Sequence, residues 1–144
     1  MKHPGSGFEY EDERNEDLMR AYRDEVALSK DIKVAHLFRA VVERPSVRFW
    51  VSEERAFIVI SRMLKGEVLD GMRRLKREMY EEIYARYIEL RDKHPDKSIR
   101  HLVTMAVNSP APKFYIEPAS ARVIVCKIKK KWRKERRLFL HRRR

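Results

Sequence analysis

Two short segments of this chain each place a cation two positions before an aromatic ring. Arg48 precedes Trp50, and Lys113 precedes Tyr115. In an extended segment, side chains two positions apart lie on the same face. A cation can bind a phosphate and an aromatic ring can stack on an unpaired base, which are contacts of nucleic-acid binding. The alternative is that both rings pack on a neighbouring helix and the cations only cover them.

The C-terminal part of the chain is strongly basic. Residues 127 to 144 contain eleven Lys or Arg and one Glu, whereas residues 1 to 31 contain nine acids and five bases. The net charge of the chain is +12, which points to a polyanionic partner. We therefore expect DNA contacts from this basic C-terminal part, and the candidates are Lys127, Lys129, Lys130, Lys131, Arg133, Lys134, Arg136 and Arg137.

The two cation–aromatic segments belong to an internal duplication with a constant offset of 65 residues. Pro45 and Phe49 recur as Pro110 and Phe114, and further matches extend outward on both sides. A constant offset predicts that both halves form the same supersecondary unit. We divide the chain into a flexible lead (1–10), repeat 1 (11–66), repeat 2 (67–131) and a basic tail (132–144).

The repeated motif is Pro-x-x-[Arg/Lys]-Phe-[Trp/Tyr]-[Val/Ile], at residues 45–51 and 110–116. Together with residues 52–56 after its first copy, it resembles small uncharacterised proteins carried by phages and mobile elements of gut bacteria. The resemblance covers most of the chain. It implies a genomic setting, as an accessory or regulatory protein, and it assigns no activity to any residue.

Helical periodicity predicts three helices in repeat 1. The first covers residues 11 to 28, and the second follows a cap at Asp31 and ends near Glu43. The third starts after the cap Ser52 and ends at Gly66. This third helix is a candidate for the DNA major groove in a helix-turn-helix arrangement. Its many apolar residues favour the alternative of a core helix that exposes only its cations, which are Arg55, Arg62 and Lys65.

Repeat 2 follows the same pattern. Its helices are expected over residues 72 to about 93, then after a cap at Asp96, and from Pro118 into the tail. Residues 123 to 126 have strand propensity. We assign them to the helix because the proline start and the equivalent part of repeat 1 favour it.

The segments between the second and third helices predict short strands. Val47 to Val51 alternates with period two, so Val47, Phe49 and Val51 should point inward and Arg48 and Trp50 outward, and Pro112 to Ile116 repeats this pattern. Copies related by an internal two-fold axis run in opposite directions, so we expect antiparallel pairing. The predicted fold is mainly α, with two tandem three-helix, helix-turn-helix-like repeats and a short central two-stranded antiparallel ribbon.

Several function classes have no support in the sequence. There is no glycine-rich phosphate loop, nucleophile elbow or paired-histidine zinc helix, so we expect no enzyme, metal or cofactor. His36 and His101 are interpreted as surface residues or phosphate contacts, and Cys126 as a small core residue. Without a long apolar run or a secretion signal, the expected location is the cytoplasm, away from membranes.

These patterns favour a non-enzymatic DNA-binding protein. Two alternatives remain open. A protein-interaction or assembly module would use the acidic head of one copy and the basic tail of another, forming a homo-oligomer. RNA binding shares the charge argument and differs in preferring single-stranded or A-form targets.

Overall fold

The computed structural model describes residues 10–29 and 33–142. In this part of the chain the regular elements are all helices, without a strand, which agrees with the mainly α class and with a helix over residues 123 to 126. None of these helices is long and apolar enough to cross a membrane. The six helices are α1 (Glu11–Leu28), α2 (Val34–Glu43), α3 (Glu53–Leu64), α4 (Arg74–Lys93), α5 (Ile99–Val107) and α6 (Pro118–Arg142).

Local capping chemistry explains both ends of α3. The Ser52 hydroxyl accepts a hydrogen bond from the Arg55 N–H at 3.1 Å. At the other end Gly66 has a φ of 87°, and its N–H donates to the Met63 carbonyl at 3.0 Å. The Glu67 N–H donates to the Arg62 carbonyl at 3.1 Å, which completes a Schellman motif.

The cap of α5 differs from the predicted one. Ser98, and not Asp96, accepts the hydrogen bond from the His101 N–H, at 3.2 Å. Other predicted features lie outside the described residues. They are the cap Asp31, the lead up to residue 9, and Arg143 and Arg144 of the tail.

Each third helix packs against the first two helices of the other repeat. α3 contacts α4 and α5, whereas α6 contacts α1 and α2. The protein therefore has a first bundle (α1, α2 and α6) and a second bundle (α3, α4 and α5). The prediction of two tandem helix-turn-helix-like units is wrong, because the connection after α2 carries α3 across to the other bundle.

The two crossing connections meet at equivalent positions. The Ser46 N–H donates to the Ala111 carbonyl at 3.0 Å, and the Ala111 N–H donates to the Ser46 carbonyl at 2.9 Å. These residues are 65 positions apart and form an isolated antiparallel bridge. A reciprocal contact between equivalent residues is the arrangement expected at a two-fold axis.

The predicted two-stranded ribbon is wrong, because the pairing stops at this one bridge. The Val47 N–H donates to the Asp17 carboxylate in α1 at 3.0 Å, and donors further along both connections bond to helix ends. The Phe49 N–H donates to the Val107 carbonyl and the Phe114 N–H to the Val42 carbonyl, both at 3.0 Å. Pro112, directly after Ala111, has no N–H to continue a ladder.

Neighbouring aromatic residues of each connection enter different cores. Phe49 lies in the core of the second bundle and Trp50 in the core of the first. Phe114 lies in the first core, and Tyr115 packs against the second. Side chains therefore alternate as predicted, but both faces of the connection are covered. Trp50 is only 8% exposed and Val47 is 57% exposed, so the predicted outward position of Trp50 and the predicted inward position of Val47 are both wrong.

Candidate nucleic-acid interface

The basic helix α6 continues well beyond the length of its counterpart. α3 ends at Leu64, whose equivalent by the 65-residue offset is Lys129, but α6 runs on to Arg142. Every residue from 130 to 142 is exposed. We call this segment the α6 extension. Its cations surround most of the helix circumference, and they are Lys130, Lys131, Arg133, Lys134, Arg136, Arg137 and Arg142.

Contacts between α6 and the first bundle lie at the start of the extension. Lys129 donates a hydrogen bond to the Tyr22 hydroxyl, and its Nζ lies 4.3 Å from the centroid of that ring. The Arg23 guanidinium lies 5.4 Å from the Trp132 ring centroid. Lys127 is exposed on the packed part of the helix. The extension therefore projects from a base that is held by cation–π contacts.

The cation–aromatic pairs of the crossing connections are structural. Arg48 lies 5.3 Å from the ring centroid of Trp50, and Lys113 lies 5.3 Å from that of Tyr115. Lys113 also forms an ion pair with Glu78 at 3.3 Å. The cations cover packed rings, as in the alternative stated above. Since Trp50 is buried, it has no face on which a base could stack.

Burial also changes the acidity of Tyr115. Burial raises the pKa of its hydroxyl to about 12, and the nearby carboxylate of Glu82 adds to the effect. The phenol therefore stays neutral at physiological pH. The backbone of Tyr115 has a φ of 57°, which lies in the left-handed region. The connection therefore leaves the extended conformation at this residue.

The third helix of repeat 1 is a core helix. Ala56, Val59 and Ile60 are fully buried, whereas Arg55 and Arg62 are exposed. Arg62 lies 3.8 Å from a carboxylate oxygen of Glu67. Because α3 does not contact α2, these two cations do not belong to a helix-turn-helix surface.

The other candidate residues lie on the surface. His36 and His101 are exposed, and so is Cys126, which corrects its interpretation as a core residue. Successive residues of an α-helix lie about 100° apart around its axis, so Cys126 lies on a different face from the buried Val125. In the described part of the chain, no group of three or more His, Cys, Asp or Glu side chains could hold a metal ion.

A pocket of about 300 Å³ was missed by the sequence analysis. It lies where the N-termini of α4 and α6 approach each other, and we call it the α4/α6 pocket. Its polar and aromatic lining includes Arg14, Trp50, Arg73, Lys76, Glu117 and Ser120. A signal was present in the duplication, because Lys76 stands where the first copy has Glu11.

The chain matches no protein-family model, no curated protein and no solved structure. Its function is therefore assigned from the placement and charge of its own residues.

Proposed function

We propose that this protein binds double-stranded DNA, without catalysing a reaction, through the α6 extension. The observation that carries the proposal is a run of thirteen exposed helical residues with cations around most of its circumference. A helix with its side chains is about 10–12 Å across, which suits a major groove about 12 Å wide. Cations on opposite flanks of the helix would then reach phosphates on both strands.

The charge of the extension itself favours an anionic partner. Lys130 and Lys134 are four residues apart, as are Arg133 and Arg137, and like charges at this spacing destabilise a helix. Glu135 is the one acid in the segment. Phosphates would remove this repulsion and release condensed counterions. The deep, narrow major groove of A-form RNA does not admit a helix, which favours DNA over duplex RNA.

A second candidate function is assembly with another copy of the chain. Leu138, Phe139 and Leu140 are each more than half exposed near the end of the extension. Phe139 lies seven residues after Trp132 and thus continues the stripe along which α6 packs on the first bundle. Apolar side chains in this place favour contact with a protein surface.

The DNA-binding proposal is tested by a chain that ends at Trp132. This chain keeps the Arg23–Trp132 contact, so we expect it to stay folded by circular dichroism. Its affinity for duplex DNA, measured by fluorescence anisotropy at several salt concentrations, should fall strongly. Loss of three or four phosphate contacts would lower the slope of log affinity against log salt by about 3.

A pair of triple variants separates local contacts from net charge. The test variant replaces Lys134, Arg136 and Arg137 by Gln. Its matched control replaces three exposed cations that form no ion pair in the described part of the chain, which are Lys65, Lys93 and Lys97. Equal losses in both variants would contradict a contact at the extension. Unchanged DNA affinity of the shortened chain with a change in its light-scattering mass would favour assembly.

A further inference from the structure

We propose that the α4/α6 pocket binds a phosphate group. The first argument is the charge at the helix N-termini that meet there. The N-terminal end of a helix carries a partial positive charge and unpaired N–H groups, which anions stabilise. α4 instead starts with Arg73, Arg74 and Lys76, with no acid in its first turn and no side-chain cap. α6 has no acid in its first turn either, although Glu117 directly precedes it.

In the first copy of the duplication, carboxylate side chains of the protein itself lie near the helix N-termini and offset their partial positive charge. The N-termini of α1 and α3 border a pocket of about 400 Å³, lined by the acids Glu13, Glu53 and Glu54 and the cations Arg48 and Arg100. It shares two equivalent positions with the α4/α6 pocket, because Tyr10 corresponds to Leu75 and Ser52 to Glu117. Ser52 caps α3 at the same site. These carboxylates stabilise the helix dipoles.

In the second copy most of these carboxylates are gone. By the 65-residue offset, Pro118 and Ala119 replace Glu53 and Glu54, and Lys76 replaces Glu11, whereas Glu78 retains the acid of Glu13 and Glu117 replaces Ser52. Across these positions the second copy therefore has two carboxylates fewer and one cation more. A bound anion would do there what the carboxylates do in the first copy.

As a second argument, two lining residues, Trp50 and Arg14, each have a buried N–H donor without an acceptor among the described residues. Trp50 is more than nine-tenths buried and lines the pocket, and its indole Nε1 has no hydrogen-bond partner in the described part of the chain. The buried Nε of Arg14, another lining residue, also has none. Unpaired buried donors are unfavourable and uncommon. Both nitrogen atoms are closed to solvent, so a phosphate in the pocket would reach them after a small movement of these side chains. Phosphate oxygens are strong acceptors for N–H groups of both kinds.

The third argument is the charge balance of the lining. Arg14, Arg73 and Lys76 face one carboxylate, Glu117, and the hydroxyl of Ser120 adds a further donor. Neither Arg73 nor Lys76 forms an ion pair within the described residues. The excess of two positive charges matches a phosphate dianion. The volume leaves room for the group that carries the phosphate, so free phosphate, a nucleotide and the DNA backbone are alternative sources.

This site is separate from the one in the proposed function. Lys130 lies twelve residues after Pro118 in α6, which is about 18 Å along a helix. Phosphate binding at the pocket can therefore be lost while the extension still binds DNA, and the reverse also holds.

The experiment uses the full chain with Trp132→Phe, which leaves Trp50 as its one tryptophan. The Trp50 indole N–H resonance is followed by ¹⁵N NMR during titration with inorganic phosphate, a nucleoside monophosphate or duplex DNA. We expect a downfield shift that saturates, and no such shift with chloride at the same ionic strength. The titrant that saturates the signal at the lowest concentration identifies the source of the phosphate.

Single substitutions on one helical turn supply the control. Lys76→Gln should weaken saturation at least tenfold, whereas Arg74→Gln should not, because Arg74 does not line the pocket and lies 3.3 Å from Glu78. Glu117→Gln should strengthen binding. The proposal is overturned if no titrant moves the Trp50 signal more than chloride does. Equal effects of Lys76→Gln and Arg74→Gln would overturn it too.

Discussion

Arg48 shows how a cation beside an aromatic ring can serve the fold. Its Nε donates to the Phe49 carbonyl at 3.0 Å and its NH2 nitrogen to the Val51 carbonyl at 2.7 Å, while the guanidinium lies over Trp50. The planar guanidinium can stack and donate at once. These contacts satisfy carbonyl groups of a connection that has almost no ladder of its own.

Burial of both neighbours predicts that Phe49 and Trp50 matter for stability to a similar extent. Phe49→Ala and Trp50→Ala should each lower the free energy of unfolding by about 3–5 kcal/mol, because each leaves a cavity in a core. Urea denaturation of the two variants measures this.

Val47→Ala is the control on the same connection. Val47 is 57% exposed, so its loss should change the free energy of unfolding by no more than about 0.5 kcal/mol. If Trp50→Ala were as mild as Val47→Ala, Trp50 would be a surface residue, in conflict with its position in the first core.

At the scale of the element, the ends of the two third helices differ. α3 stops where Gly66 adopts a positive φ, whereas α6 has Lys131 at the equivalent position and continues as a helix. A residue with a side chain rarely adopts the left-handed conformation, so the second copy lacks the stop signal of the first. The extension therefore follows from one local difference between the copies.

This role of Gly66 predicts the effect of adding a methyl group. Gly66→Ala should destabilise the protein by about 1 kcal/mol, because its φ of 87° strains a residue with a Cβ although no atom lies within 4 Å. Thermal denaturation followed by circular dichroism measures the change.

Gly71→Ala is the matched control, since Gly71 also has open space around its Cβ position and lacks a positive φ. It should be neutral or stabilising by up to about 1 kcal/mol, because alanine restricts the unfolded chain. Equal destabilisation by both substitutions would argue against a conformational origin.

At the scale of the whole molecule, the exchange of third helices makes each half depend on the other. α3 completes the core of α4 and α5, and α6 packs on α1 and α2. Neither repeat can therefore bury its own apolar helix faces alone. The ion pair between Arg100 and Glu54, at 2.8 Å, is one of the contacts between repeats.

A cut between the repeats tests this dependence. A protease site placed at Val68, which is 76% exposed, would separate α1–α3 from α4–α6 after cleavage. The two fragments should still co-elute in native gel filtration and separate only in denaturant, because each contributes a helix to the other's bundle.

The same protease site placed after Arg133 is the control. It releases a short piece of the α6 extension, which is exposed along its length and should elute separately. If cleavage at Val68 also gave fragments that separate without denaturant, the third helices would not be exchanged.

Local interactions explain what the sequence by itself determined. The limits of α1 and α3 and the C-terminal end of α2 agree with the predicted ones because caps, prolines and apolar spacing act within a few residues of a helix end. The start of α2 differs, because Lys33 and not Asp31 precedes the helix. The burial of Phe49 and Phe114 follows from the two-residue period of the connections.

The tertiary structure alone decided which helices pack together. Since the repeats share an apolar pattern, α3 fits the first two helices of either repeat, and the sequence pattern does not distinguish the two packings. The choice depends on the path of the connections, and it buries Trp50 and leaves a bridge where a ribbon was expected. It also joins Arg14 and Trp50 from repeat 1 with Arg73 and Lys76 from repeat 2 in one pocket. Residues so far apart in sequence meet only through long-range packing, which local patterns do not encode.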